Sequence, residues 1–226
     1  MSLAERIALV NEKIAAAARQ AGREPSEVTL VAATKVQTSD TIRQAIAAGV
    51  TICGENRVQE MTEKLAQGAY EGAPLHFIGH LQRNKVKQVV GKAALIQSVG
   101  SLPLLEAVEK EAEKQGIVQD ILLEVNIGGE ASKSGISPEE LSALAAQAVG
   151  SPHVRLRGLM AIPPVAAGPD GNRPFFAKMR QLYVDIRSQM DDNKTSFDCL
   201  SMGMSGDFED AIAEGATLVR VGTALF

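Results

Sequence analysis

Lys35 is the residue of this sequence from which most chemistry could be drawn. It stands two positions after the apolar run Val28–Ala33 (VTLVAA), and such a run suits a strand buried on both faces. A lysine at the end of that strand that reached inward would be desolvated, which lowers its pKa and frees a neutral amine as a nucleophile. A solvated lysine after a strand is the plain alternative. Two later segments hold residue types that bind phosphate. Gly203-Met204-Ser205-Gly206-Asp207 precedes a short helical stretch; glycine lets backbone N–H groups come close to an anion, a helix start adds unpaired donors, and Ser205 adds a hydroxyl. An N-capped turn would look the same. Gly222-Thr223 repeats the pairing of glycine with a hydroxyl residue near the end of the sequence.

Arg220 interrupts the apolar stretch Leu218–Val221. A buried guanidinium is costly unless paired, and it can only donate hydrogen bonds. A ligand acceptor such as a pyridine nitrogen would satisfy it, and so would a carboxylate such as Asp207 or Glu209. Asn56, in Gly54-Glu55-Asn56, is placed to hydrogen-bond a ligand ring or to serve as a turn residue or N-cap. His80, Gln82, Asn84 and Lys85 crowd one short stretch without metal-ligand spacing. Asn126, Lys133 and Ser134 follow another apolar run and would line the same mouth, or a solvated loop.

The elements that must carry these residues alternate. Leu3, Ile7, Val10 and Ile14 share a helical face, with Gly22 as the stop. Strands are expected at 28–33, 50–53, 75–78, 95–99, 121–126, 156–160, 197–201 and 218–221. Helices are expected at 41–48 with Gly49 as C-cap, 57–66, 84–90, 102–115, from a capping box at Ser137-Pro138-Glu139-Glu140 to Gly150, along the stripe Phe176–Ile186, and at 208–213. About eight strands separated by helices in 226 residues predict a single α/β domain over residues 1–226, a (β/α)8 TIM-type barrel with an extra N-terminal helix. An open doubly wound sheet is the other arrangement of such units. In a barrel the strand C-termini form the mouth, and the loops after strands 7 and 8 often hold a phosphate together.

A net charge of −4 with scattered basic residues gives no footprint for nucleic acid. Cys53 and Cys199 lack any paired framework, which suits free thiols in a reduced compartment. Residues 1–18 are broken by Glu5, Arg6, Glu12 and Lys13, unlike a signal peptide, and no run approaches a membrane span. A soluble cytoplasmic protein is expected.

The sequence resembles the YggS/PROSC family of pyridoxal phosphate homeostasis proteins. The likeness is carried in order by Val31–Lys35, Gly54–Glu60, His76–Lys85, Ser132–Gly135, Arg157–Pro163, Leu200–Ser205 and Val219–Thr223. It implies a barrel like the N-terminal domain of alanine racemase, with pyridoxal 5′-phosphate (PLP) as cofactor, held as a Schiff base on Lys35. By motif match, Ser205, Gly222 and Thr223 would hold the phosphate, Arg220 would face the pyridine nitrogen, and Asn56 would lie beside the ring. The implied role is binding and buffering PLP, with PLP-dependent apoenzymes as recipients; a monomer or weak dimer is expected, apart from the resemblance. Family members usually continue past the eighth strand with a Gly- and Arg-containing tail, where this sequence stops at Phe226; a weaker hold on phosphate is expected if that tail closes the loop. A PLP-dependent amino-acid racemase is the enzymatic alternative, and a barrel for another phosphorylated metabolite the third. Racemisation needs an acid/base group on each face of the substrate carbon, and the only tyrosines, Tyr70 and Tyr183, are expected in a loop and on a helix.

Overall fold

The computed structural model describes residues 1–130, 134–164, 171–190 and 197–226. Helix α1 (Leu3–Gln20) opens at Ser2, whose side chain accepts from the Glu5 N–H at 3.2 Å, while the Glu5 carboxylate accepts from the Ser2 N–H at 2.6 Å. This reciprocal cap satisfies two donors that a helix start leaves orphaned. The chain then alternates: β1 (Thr29–Ala33), α2 (Ser39–Ala47), β2 (Cys53–Glu55), α3 (Val58–Ala66), β3 (Leu75–Phe77), a 3₁₀ turn (Arg83–Gln88), β4 (Leu95–Val99), α4 (Leu102–Gln115) and β5 (Gln119–Glu124). It continues through α5 (Leu141–Gly150), β6 (Val154–Met160), α6 (Arg173–Ser188), β7 (Cys199–Ser201), α7 (Phe208–Ala213) and β8 (Leu218–Val221). The strands pair in parallel, each with its neighbour in sequence, and β1 closes on β8. This is the expected (β/α)8 barrel with its N-terminal helix, not an open sheet.

Side-chain alternation divides the core. Val31, Ala33 and Leu218 pack inside the barrel with Ile78, Leu95, Leu122 and Met160. Leu30, Ala32, Val219 and Val221 belong to the larger layer beneath the helices. Helix α1 and the segment just after it tie down the closing seam: Arg6 Nε donates to Leu225 O at 2.7 Å, and Arg23 Nη1 to Ala216 O at 2.8 Å and Ile212 O at 3.0 Å. Both cysteines are free thiols. No helix among the described residues is long and apolar enough to cross a membrane.

Three expectations change. The second strand lies at Cys53–Glu55, not 50–53, because Cys53 and Gly54 are the residues in register with Ala32 and Ala33. The stretch expected as a helix at 84–90 is the tighter 3₁₀ turn. The capping box at Ser137 does not form: Ser137 Oγ donates to the Glu140 carboxylate at 2.8 Å, the backbone closes i→i+3 turns at Glu140 and Leu141, and α5 starts only after Glu140.

Gly158 marks a register shift between β5 and β6. Its φ is +150°, and a Cβ there would lie 1.7 Å from Cys199 O. Such a bulge bends a strand at the position only glycine fits. Gly158→Ala is expected to cost roughly 3 kcal/mol or more of stability, read as a lowered urea unfolding midpoint.

Candidate functional site

The inward set of side chains becomes polar toward the mouth. Two residues past Leu218, Leu122 and Leu95 stand Arg220, Glu124 and Gln97, all buried, and two before Ile78 is His76. These groups join into one chain. Arg220 Nη1 donates to Ser201 Oγ, Ser201 donates to Gln97 Oε1 at 2.6 Å, and Gln97 Nε2 meets His76 Nδ1 at 3.0 Å. Arginine can only donate, so the order is fixed from that end. The Ser201 proton goes to Gln97, the Gln97 amide donates to Nδ1, and the His76 proton sits on Nε2. Burial supports this neutral imidazole, pushing His76 down to about 4.

Arg220 Nη2 donates to Ala161 O at 2.8 Å. Its partners are therefore a hydroxyl and a carbonyl, not the Asp207 or Glu209 carboxylate considered from sequence. Asp207 is spent elsewhere, accepting from Met204 N–H at 2.6 Å and Asn172 Nδ2 at 2.7 Å. Burial lowers Arg220 to about 10, against the pull of Glu124, so it stays charged at neutral pH. Burial raises Glu124 to about 7, with Arg220 opposing. Glu124, Gln97 and Ser201 were missed in the sequence; their signal is a polar residue two places after an inward apolar one near a strand end.

The last two inter-element loops converge. Gly222 N–H donates to Ser205 Oγ at 3.3 Å, and Arg220 N–H to Gly203 O at 3.0 Å. A Cβ at Gly222 would lie 3.3 Å from both the Cβ and the carbonyl oxygen of Ala33, so this loop rests against the end of β1. Among the described residues, the backbone N–H groups of Gly206 and Thr223 have no protein acceptor. Ser205 is half-buried and Thr223 exposed. An anion here would meet N–H donors and hydroxyls from two loops.

Lys35 lies in the turn directly after β1, next in the inward alternation Val31, Ala33. Lys35 is exposed, the solvated alternative of the two, because the strand ends at Ala33 and the chain turns before the lysine is enclosed. Asn56 stands two places past the inward Gly54, and its Oδ1 is buried without a hydrogen-bond partner. The loop after β3 presses on it closely: a Cβ at Gly79 would be 2.0 Å from Asn56 O. Lys35, Asn56, Ser205, Arg220, Gly222 and Thr223 thus share one end of the barrel. Asn126, by contrast, donates through Nδ2 to Glu130 O at 2.8 Å and so braces its own loop. Ser134 Oγ is 2.8 Å from His80 Nδ1, an exposed contact. Lys133 lies outside the described residues.

The sequence profile of the family described as "Alanine racemase, N-terminal domain" matches residues 10–226. A protein of Aquifex aeolicus named "Pyridoxal phosphate homeostasis protein" is 42% identical over 226 residues, covering 100% of this chain and 98% of its own. One of the same name from Pseudomonas aeruginosa is 41% identical over 225 residues, covering 100% and 95%. The PipY structure of Synechococcus elongatus PCC7942 with PLP bound superposes with a TM-score of 0.85 at 33% identity, covering all of both chains. Alanine racemase of Clostridium difficile shares the barrel (TM-score 0.75, 13% identity, 98% of this chain and 56% of that one), a likeness of fold alone.

The buried Glu124 carboxyl has a direct consequence for stability. Its pKa is raised on folding, so between about 4.5 and about 7 the folded state holds a proton that the unfolded state has lost. Stability contributed by this group therefore falls as pH rises through that window and is level above it. Glu124→Gln is expected to gain on the wild type from pH 5 to pH 7.5, measured as the difference in unfolding midpoint, and the gap to stay constant from there to pH 8.5.

Proposed function

The chain belongs to the pyridoxal phosphate homeostasis family of alanine racemase N-terminal-domain barrels, and we propose that Lys35 holds its PLP covalently while Ser205, Gly222 and Thr223 hold the phosphate. The observation that carries this reading is the meeting of the Ser205 and Gly222 loops against Ala33, two residues from the Lys35 amine. The residues present fit the ligand. Asn56 Oδ1 is a buried acceptor with no partner, and Arg220 keeps N–H donors beyond the two given to Ser201 and Ala161. When bound, PLP supplies an aldehyde that condenses reversibly with a primary amine.

The protein's own groups then account for holding rather than turnover. Arg220 is a permanent donor, so a ring nitrogen that accepts from it stays unprotonated and is a weak electron sink. The Ser201–Gln97–His76 chain fixes the guanidinium without supplying a proton toward the ring. Racemisation would need a second base, and neither tyrosine offers one. Tyr183 is buried on α6, its hydroxyl donating to Phe197 O at 2.9 Å, and Tyr70 is buried in the turn after α3; burial pushes both hydroxyls up. We assign the protein to storing PLP in the cytoplasm as a monomer or weak dimer and releasing it to apoenzymes, with exchange of Lys35 for another amine or water as the release step.

The test is an absorption titration of the purified protein with PLP, followed by borohydride reduction and mass mapping. An imine band and an adduct on Lys35 are expected, both lost in Lys35→Ala with residual binding through the phosphate loops. Ser205→Ala and Thr223→Val are each expected to weaken PLP and inorganic phosphate by roughly tenfold. A protein that stays colourless with PLP added sinks this reading.

A further inference from the structure

We propose that Lys64, Glu55 and Glu60 form a positioning device for Lys35, gripping the two peptide groups that flank it and so setting how its amine is presented to the PLP aldehyde. The inference rests on the Lys35 reading above. Lys64 lies on the buried stripe of α3 with Val58 and Met61, and its side chain is only 10% exposed. Its Nζ donates to Thr34 O at 2.9 Å, Glu55 Oε1 at 2.6 Å and Glu60 Oε2 at 3.3 Å. Three donors are all that an ammonium has. Glu60 Oε2 in turn accepts from the Val36 N–H at 2.9 Å. The carbonyl before Lys35 and the amide after it therefore end on one ion cluster, buried at Lys64 and Glu55 and half-buried at Glu60, lodged between α3 and the ends of β1 and β2.

Backbone strain gives the cluster its purpose. Val36 has φ +59°, the one non-glycine residue with positive φ among the described residues. A β-branched residue is disfavoured there, and such a conformation persists only where its surroundings over-determine it. Val36 itself is 76% exposed, so packing of its side chain does not hold it. It stands third in the turn that Gln37 N–H closes on Thr34 O at 3.1 Å, and the hydrogen bond from its own N–H to Glu60 anchors that turn to α3; the same bond is the chief cause holding the Glu60 carboxyl below its ordinary range. Glu55 extends the grip: Oε1 accepts from the Thr34 hydroxyl at 2.8 Å, and Oε2 from the Asn56 N–H at 3.3 Å. A well-packed apolar trio would be cheaper to bury than these ions. What the ions add is direction, and for an amine that must meet an aldehyde, fixed direction raises the effective concentration of the reacting pair.

The experiment compares PLP with pyridoxine 5′-phosphate, an alcohol that cannot condense with an amine and so reads the pocket alone. In Glu60→Ala, and independently in Lys64→Met, the reducible adduct at Lys35 is expected to need roughly tenfold more PLP or beyond, while pyridoxine 5′-phosphate affinity stays within about twofold of wild type. Glu60→Gln, which keeps an acceptor oxygen, should behave nearly as wild type. Val36→Asn placed in the Glu60→Ala background should recover most of the loss, because asparagine tolerates the left-handed conformation. Unchanged adduct formation in both Glu60→Ala and Lys64→Met overturns the proposal, as does equal weakening of both ligands or no recovery with Val36→Asn. A wild-type protein that forms no adduct at Lys35, yet binds pyridoxine 5′-phosphate, removes the Lys35 reading and this proposal with it.

Discussion

The seam between β1 and β8 is the constraint on which the site depends. Val31 lies opposite Arg220 and Ala32 opposite Val221 in a parallel ladder. That register brings the turn holding Lys35 beside the loop holding Gly222 and Thr223, although the two come from opposite ends of the sequence. A slip of one residue would turn Arg220 outward and Val219 or Val221 inward. Apolar inward residues on both strands and the clasp of α1 and the segment just after it over the seam resist such a slip. Register here is therefore a functional quantity as much as a structural one.

Inside that ring the barrel changes character along its axis. The layer of Val31, Leu95, Leu122 and Leu218 is apolar, and the one above it holds Arg220, Glu124, Gln97 and Ser201. Burying a guanidinium and a carboxyl costs stability that Val or Leu would not. The return is a guanidinium whose orientation is set before any ligand arrives, because each atom in the chain from Arg220 to His76 has one role as donor or acceptor. Preorganised donors of this kind need no rearrangement on binding.

Much of this was legible in the sequence for definite reasons. Parallel strands covered on both faces are largely apolar, so β1 stands out as a run and β8 does so apart from Arg220. The phosphate loops are local pairings of glycine with a hydroxyl, and locality is what sequence patterns report. Other features needed the third dimension. Val50–Cys53 looks like a strand, yet register with Ala32 and Ala33 selects Cys53–Glu55. Lys64 sits four residues after Glu60 and reads as half of a surface ion pair; only its place on the Val58–Met61 stripe shows that it points into the fold. Whether Lys35 is enclosed or solvated is open in the sequence, because it depends on where the chain turns, and it turns at Thr34 before the lysine is covered. Gln97 and Glu124 are inward because of strand parity, which cannot be assigned until the barrel is closed.

Because β8 supplies both Arg220 and the approach to Gly222, the pocket cannot exist on a nascent chain that has not yet reached β8. β2 can pair with β1 early, but the barrel closes only when β8 has been made and zips against the other edge of β1, and no amine-bearing fragment made earlier would carry an anchorage for phosphate. Ligand capture is thereby coupled to synthesis through β8: a truncated translation product ending before Leu218 retains the reactive lysine but only one of the two loops that would select its aldehyde.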